Sequence, residues 1–459
     1  MNAAEMFIKN LDLRRDDTAM VFYGQQEVTY QELYEGAGRF QAAFKAHGLK
    51  TGDSVFFMIG LSPDFYMAVL AAMAYGLKIL MIEPWMPRNH MKKILEREKP
   101  SLFIHAMSGK IWGMLHSSVR KIPHWINIGE VKRQKNGQVS LTSLDRNFKS
   151  MVAFTTGTTG VPKSVVRENE FLYEQANVYA KYLVSSDSGW DLTLFPSFAL
   201  GNLAAGKTSV IVPPNWSKKV LRKIGKNYPQ VSSVTCAPAF LGHIRSEKVY
   251  SSLSHVHVGG APCDLDLIES LQSAGKQVHV VYGSSEAEPV SLCDGQKCVE
   301  FSQERGFFQT SFLGKPVSEI SFEIKEGSFW VTGNHVSKYY EGTSPDQNKR
   351  TSSDGRIWHD MGDAIEEDKD GLWYMGRSGT SKEAYIEEQS VYKRLGSSNA
   401  FMAVEDGIKV LVCGNELRSH PEITRLKAEY DTVVFGKIVR DRRHRSRIDR
   451  RATLRRVLR

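Results

Sequence analysis

Residues 154–163 read Phe-Thr-Thr-Gly-Thr-Thr-Gly-Val-Pro-Lys, the most specific local signal in the chain. Two glycines among four threonines let backbone N–H groups turn toward an anion. The hydroxyls add donors and Lys163 supplies a point charge, so phosphate is the natural guest. The run is not a Walker A loop. That pattern needs a second Gly five residues after the first, and Pro162 stands there. A P-loop triphosphatase is therefore disfavoured, and the plain alternative is a flexible Thr/Gly surface loop.

The elements that must position this run alternate between strand and helix. Residues 29–48 open with a Thr-x-x-Glu capping box, Thr29 and Glu32, and keep Leu33, Ala37, Phe40 and Phe44 on one face. This pattern predicts a helix that stops at Gly48. Residues 53–60 read as a buried strand, 65–75 as a helix and 79–82 as a strand; further strands are predicted at 192–195, 209–212, 255–258 and 278–282. The alternation argues for a mostly parallel sheet covered on both faces. After about residue 320 the texture becomes turn-rich and predicts antiparallel hairpins, with Asp368-Lys369-Asp370-Gly371 turning between two of them. The expected fold class is α/β. A large multi-sheet N-terminal domain, residues 1–377, has parallel sheets covered by helices, and residues 378–459 form a small α+β C-terminal lid.

Composition bounds the partners. With 41% hydrophobic and 24% charged residues in 459, the chain has ample apolar material for a core, and disorder is not the default. The net charge of +9 raises nucleic acid, an acidic membrane surface or a phosphate-bearing ligand. Residues 437–459 hold eleven basic and two acidic side chains, so the tail carries the whole excess and the body is neutral. Five scattered cysteines without a Cys-x-x-Cys pair argue against a disulfide framework and a zinc site, and fit a reducing compartment. Cys293 and Cys298 read as free thiols in a turn-rich loop, and His255 and His257 as core residues of a strand. The N-terminus lacks the order of a signal peptide. The most apolar run, residues 67–77, is far short of the roughly 18 residues of a membrane span. A cytoplasmic protein with no membrane span is expected.

Thr155-Thr156-Gly157-Thr158-Thr159-Gly160-Val161-Pro162-Lys163 resembles the phosphate loop of the adenylate-forming superfamily, which includes acyl-CoA ligases, peptide-synthetase adenylation domains and luciferases. The resemblance spans nearly the whole chain. Val28 to Leu33 with Gly48, Gly52-Asp53 and Gly76 is similar to the N-terminal motifs. Gly259-Gly260-Ala261-Pro262 and Tyr282-Gly283-Ser284-Ser285-Glu286 match the adenine and magnesium motifs, with Ser285 where Thr is usual. Val331-Thr332-Gly333 with Tyr339-Tyr340, Met361-Gly362-Asp363 and Gly376-Arg377 follow in order. A finer resemblance, through residues 194–202, 282–290, 358–363 and 442–448, is to the β-lactone synthetases of olefin biosynthesis.

The resemblance implies roles residue by residue. An acid carboxylate must attack the α-phosphorus of ATP, so positive charge and oriented dipoles must offset the repulsion of two anions. Thr155, Thr156, Gly157, Thr158, Thr159, Gly160 and Lys163 would hold the β- and γ-phosphates. Glu286 would ligate Mg²⁺ and Ser285 would bond the α-phosphate. Asp363 would accept both ribose hydroxyls and Arg377 would hold the ribose and phosphate side. Gly260, Ala261 and Tyr282 would form the adenine slot, with Gly283 beside it, and Phe198 would line the acyl pocket or the core. Each residue alone has a plain alternative, such as Asp363 ending a hairpin, Tyr282 in the core or Glu286 at a solvated helix start. As an ordered set they imply a ligase.

Three departures bear on the second half of the reaction. The hinge position is Gly379, where Asp or Lys is usual. The glycine loop that lines the thiol acceptor's path is hard to find. The family's final lysine aligns with Arg447, preceded by Ser446 in place of Gly. Arg keeps the charge but presents a broader planar fork. The expectation is adenylation of a fatty or other aliphatic acid by ATP and Mg²⁺, with CoA as the favoured acyl acceptor. Internal β-lactone closure of a 3-hydroxy acid is the alternative. From another class, a decayed nucleotide- or nucleic-acid-binding protein would make the arginine tail its working part. The intact Lys163, Glu286, Asp363 and Arg377 argue against decay, and nucleic acid is disfavoured as a partner. The oligomeric state is not legible.

Overall fold

The computed structural model describes residues 1–22, 27–82, 86–135, 137–155, 163–184, 189–212, 216–245, 247–341, 348–405, 407–440 and 446–458. They fall into two compact units. One comprises Met1–Val220, Ser285–Glu288 and Val331–His359; the other comprises Leu221–Ser284, Pro289–Trp330 and Asp360–Arg459.

In the first unit both halves of the capping box form. Thr29 Oγ1 accepts from the Glu32 amide at 3.1 Å and the Glu32 carboxylate accepts from the Thr29 amide at 2.9 Å, starting the helix Tyr30–Ala46. The helix Pro63–Tyr75 starts on a Ser62 cap with Pro in its first turn, where the missing N–H costs nothing. Phe40, Phe44, Tyr66 and Leu70 from these two helices share one core. Each such buried side chain contributes about 1.5–3 kcal/mol, so Phe44→Ala would cost about 3–5 kcal/mol.

Beneath this core lies a six-stranded sheet in the order His124–Asn127, Leu102–His105, Ser54–Met58, Lys78–Met81, Lys149–Thr155, Lys163–Glu168. The first five strands are parallel and the last is antiparallel. This final pairing sets Thr155 opposite Lys163, so the two ends of the Thr/Gly run are held in register. A second set, Trp190–Thr193, Ser209–Ile211 and Thr18–Phe22, is parallel, with Glu27–Thr29 antiparallel at its edge. The strand expected at 192–195 ends at Thr193, because Pro196 opens a helix, Pro196–Ala204, with Phe195 as its N-cap. Further along, Lys349–Thr351 pairs antiparallel with Ile357–Asp360, which sets Lys349 opposite His359.

The second unit holds parallel strands Val231–Cys236, His255–Gly259 and Gln277–Ser284. His255 and His257 are buried there, as expected of core positions. Cys293 and Cys298 do not lie in a loop: Cys293 is in the strand Ala287–Asp294 and Cys298 in the helix Gly295–Glu304. The Asp294 side chain caps that helix by accepting from the Lys297 amide at 3.1 Å, a start that Gly295 disguises in the sequence. All five cysteines are free and buried.

A three-stranded antiparallel sheet, Phe312–Gly314, Leu372–Arg377, Asp363–Glu367, turns where expected, with Asp368 Oδ1 accepting from the Asp370 and Gly371 amides at 2.9 and 3.2 Å. The C-terminal residues form the sheet Ala400–Glu405, Ile408–Gly414, Thr432–Gly436, with helix Lys382–Leu395 packed on one face and Arg450–Val457 on the other. The last helix starts at Arg450, where the Asp449 side chain accepts from the Ala452 amide at 2.9 Å and caps it. Among the described residues, no helix is long and apolar enough to cross a membrane.

Candidate active site

Apart from Phe198, the described residues among those expected gather into one group in each unit. In the first unit, the strand Lys163–Glu168 starts at Lys163, whose ammonium donates to Asn348 Oδ1 at 2.6 Å and lies 5.0 Å from the centre of the Tyr340 ring. Tyr340 is placed by a bridge to Val165 on that same strand. Its hydroxyl donates to Glu286 Oε1 at 2.8 Å. Lys349 Nζ is 5.2 Å from the same ring centre and donates to the Ser337 carbonyl. Ser337 in turn donates its amide to the Glu286 carbonyl at 2.7 Å. Two ammonium groups and one carboxylate thus surround one aromatic ring.

Burial works against the Glu286 carboxylate, yet His359, the Tyr340 hydroxyl and Lys349 hold its pKa below the ordinary Glu value. Burial and the neighbouring Lys349 push His359 itself down to about 3, although Glu286 pulls the other way. The imidazole is therefore neutral near pH 7, and Tyr340 and Lys349 are what favour the Glu286 anion there. Ser285 lies in the turn before Glu286, and its carbonyl accepts from Arg167 Nη2 at 3.0 Å. Thr155 ends its strand; Thr156, Gly157, Thr158, Thr159 and Gly160 lie outside the described residues.

The donor set suits a magnesium ion that arrives with a nucleotide. Among the described residues no three His, Cys, Asp or Glu side chains converge into a protein-only cage. Mg²⁺ is ordinarily held by one or two carboxylates together with waters and phosphate oxygens, and Glu286, ionised and tethered by Tyr340, offers one such carboxylate.

The second unit carries the other group. Strand pairing sets Asp363 opposite Arg377, and Arg377 Nη1 donates to Asp363 Oδ1 at 2.7 Å. Tyr282, on the strand Gln277–Ser284 that also carries Gly283, donates its hydroxyl to Asp363 Oδ2 at 2.7 Å. Asp363 is 6% exposed. Burial raises its pKa above the ordinary Asp value even though Arg377, Tyr282 and Arg447 oppose this. Arg447 reaches back to the adenine motif, Nε donating to the Gly260 carbonyl at 2.7 Å, and Ser446 Oγ accepts from the Ala239 amide at 3.0 Å. Ala261 is half-buried next to Gly260. Gly379 is exposed with φ +89°, inside a turn closed by the Thr380 amide on the Arg377 carbonyl at 2.9 Å. The Asp or Lys usual at that hinge would be strained there.

Phe198 stands apart, in the first unit, on the helix Pro196–Ala204. Its ring lies 5.5 Å from Tyr179 and 5.7 Å from Phe195. Tyr179 Oη donates to Asn202 Oδ1 at 3.3 Å, and Asn202 Nδ2 is within hydrogen-bond distance of Asp191, Thr193 and Ser209. Asn202 is one turn beyond Phe198 on the same helix face. A Cβ on Gly201 would fall 2.6 Å from the Tyr179 ring, so only glycine admits that ring against the helix.

Motif reading attached no role to Tyr340, Asn348, Lys349 or His359. Nothing in their local pattern points to phosphate. They reach Glu286 only through the pairing of Lys349–Thr351 with Ile357–Asp360 and the bridge to Val165.

The architecture, with its covered parallel sheets and small C-terminal α+β layer, is that of an adenylate-forming ligase. The chain belongs to the AMP-binding enzyme family, which matches residues 7–340. It is 22% identical over 403 residues to the olefin beta-lactone synthetase of Stenotrophomonas maltophilia strain K279a, covering 76% of this chain and 72% of that protein. It is 23% identical over 449 residues to the 2-succinylbenzoate–CoA ligase of Bacillus licheniformis, covering 92% of this chain and 86% of that one. Among solved structures, the O-succinylbenzoate coenzyme A synthetase of Bacillus subtilis in complex with ATP and magnesium ion matches with a TM-score of 0.77 and 18% identity, over 96% of this chain and 97% of that one.

Proposed function

We propose that this ligase adenylates a fatty or other aliphatic carboxylic acid and then passes the acyl group to CoA. The observation that carries the first step is the grouping of Lys163 and Lys349 around Tyr340 and Glu286, which concentrates positive charge beside an ionised carboxylate. Lys163 and the Thr/Gly run bind the β- and γ-phosphates, Ser285 bonds the α-phosphate, and Glu286 holds Mg²⁺. When bound, that ion supplies charge compensation on the phosphate oxygens. Asp363 and Arg377 bind the ribose, and Gly260, Ala261, Tyr282 and Gly283 the adenine. The acid carboxylate oxygen forms a bond to the α-phosphorus as the bond to the bridging oxygen breaks, and pyrophosphate leaves. Residues 1–377 hold ATP and acid, and residues 378–459 act as the lid that brings Arg447 to the nucleotide.

Phe198, its ring packed on Tyr179, would form an apolar wall for the acid. A second reading has specific support. The similarity to an olefin beta-lactone synthetase and the loss of the usual hinge residue at Gly379 both favour closure of a 3-hydroxy acid by its own hydroxyl, without CoA.

Acid-stimulated pyrophosphate release across a panel of carboxylic acids tests the first step. Should no acid stimulate release while the protein binds RNA with a steep salt dependence, the proposal is abandoned. Products from a 3-hydroxy fatty acid, with and without CoA, separate the two acceptors. Lactone formed at full rate without CoA would sink the CoA reading.

A further inference from the structure

We propose that Lys349 is a second phosphate-binding cation of the active site, contacting the part of ATP that leaves as pyrophosphate. This rests on the reading that Lys163 and Glu286 receive the β- and γ-phosphates.

Two observations carry it. First, the ammonium groups of Lys163 and Lys349 lie 5.0 and 5.2 Å from the centre of one ring, Tyr340, so they serve one small region. The ring's π face helps hold each of them. Second, consecutive residues organise the pair: Asn348 Oδ1 accepts from Lys163 at 2.6 Å, while Lys349 is tied to the Ser337 carbonyl. Ser337 also holds the Glu286 backbone, so Lys349 is fixed relative to the carboxylate. Two ammonium groups held beside one carboxylate suit a polyanion, and a triphosphate offers enough oxygens to engage both lysines.

A lysine that only propped up Glu286 would affect every ligand of the site alike; a phosphate-binding lysine discriminates. Binding of Mg·ATP, inorganic pyrophosphate and AMP to the full chain is measured by calorimetry for wild type, Lys349→Met, Lys349→Arg and Lys163→Met. Lys349→Met is expected to weaken Mg·ATP and pyrophosphate about tenfold or more while leaving AMP within about twofold. Lys349→Arg should recover most of the loss. Unchanged ATP affinity in Lys349→Met, or equal losses for ATP and AMP, overturns the proposal. Lys349→Gln gives the same comparison should the methionine variant fold poorly. Lys163→Met separates the two levels. If it also leaves the ATP-to-AMP ratio untouched, the phosphate-site reading itself fails; if it alone shifts the ratio, only the role of Lys349 falls.

Discussion

Tyr282 donates its hydroxyl to Asp363 Oδ2 at 2.7 Å, and this bond joins the strand Gln277–Ser284 to the first residue of the strand Asp363–Glu367. With Arg377 on its other oxygen, the carboxylate is fixed in direction before any ligand meets it. The arrangement costs stability, because burial outweighs these partners and leaves the Asp363 pKa above the ordinary 3.8. Such trade-offs are common at functional sites.

Asp363→Asn is expected to show both sides of that trade. An aspartate whose folded pKa is raised binds its proton more readily when folded, so stability declines as pH climbs from about 3.8 through the raised value. The Asn variant should lose this decline and melt no lower than wild type at neutral pH, since Arg377 is 61% exposed and can be solvated. Acid-stimulated pyrophosphate release should fall about a hundredfold. Melting curves from pH 4 to 7, paired with that assay, decide it; wild-type release would remove Asp363 from the ribose role.

Lys163→Ala should lower adenylation by about a hundredfold while leaving the melting temperature close to wild type. Lys163 begins an edge strand and is half-buried, so the fold does not depend on its ammonium. Undiminished pyrophosphate release would count against its phosphate contact.

Gly201→Ala tests the backing of Phe198. The new methyl group would meet the Tyr179 ring at 2.6 Å, and overpacking of this kind costs about 1–3 kcal/mol. Displacing Tyr179 also shifts the ring on which Phe198 packs, so KM for the acid should rise more than KM for ATP. Equal changes in both would mean that Phe198 is a core residue only.

For Arg447, the bond from Nε to the Gly260 carbonyl predicts that charge alone is not sufficient. Arg447→Lys should keep part of the adenylation activity and Arg447→Ala less, because a lysine ammonium offers a donor without the fork. Equal activity in wild type and Arg447→Ala, read by pyrophosphate release, would exclude a role in the first step.

Much of this architecture was legible from local patterns. The Thr29 and Glu32 box and the Asp368 turn are short-range devices, and the structure forms both, while the helix expected from residue 65 starts at Pro63 on its Ser62 cap. Boundaries slipped where a single side chain decided them. Pro196 cut short a strand, and Asp294 opened a helix where Gly295 and the surrounding polar residues suggested a loop.

The site was legible only where its residues cluster in sequence. Tyr282, Gly283, Ser285 and Glu286 announce themselves within five positions. Lys349 and His359 are ten residues apart and meet only because two short strands pair antiparallel in one register. A slip of one residue would turn Lys349 away. Local spacing cannot encode that distance.

The burial of all five cysteines has a practical consequence. A thiol-directed dye should leave the folded wild-type chain unlabelled, so one cysteine placed at an exposed position such as Arg455 would be the sole attachment point. A fluorophore there would sit on the C-terminal helix and report, in real time and without removing any native residue's thiol, how that helix's surroundings change as nucleotide and acid are added.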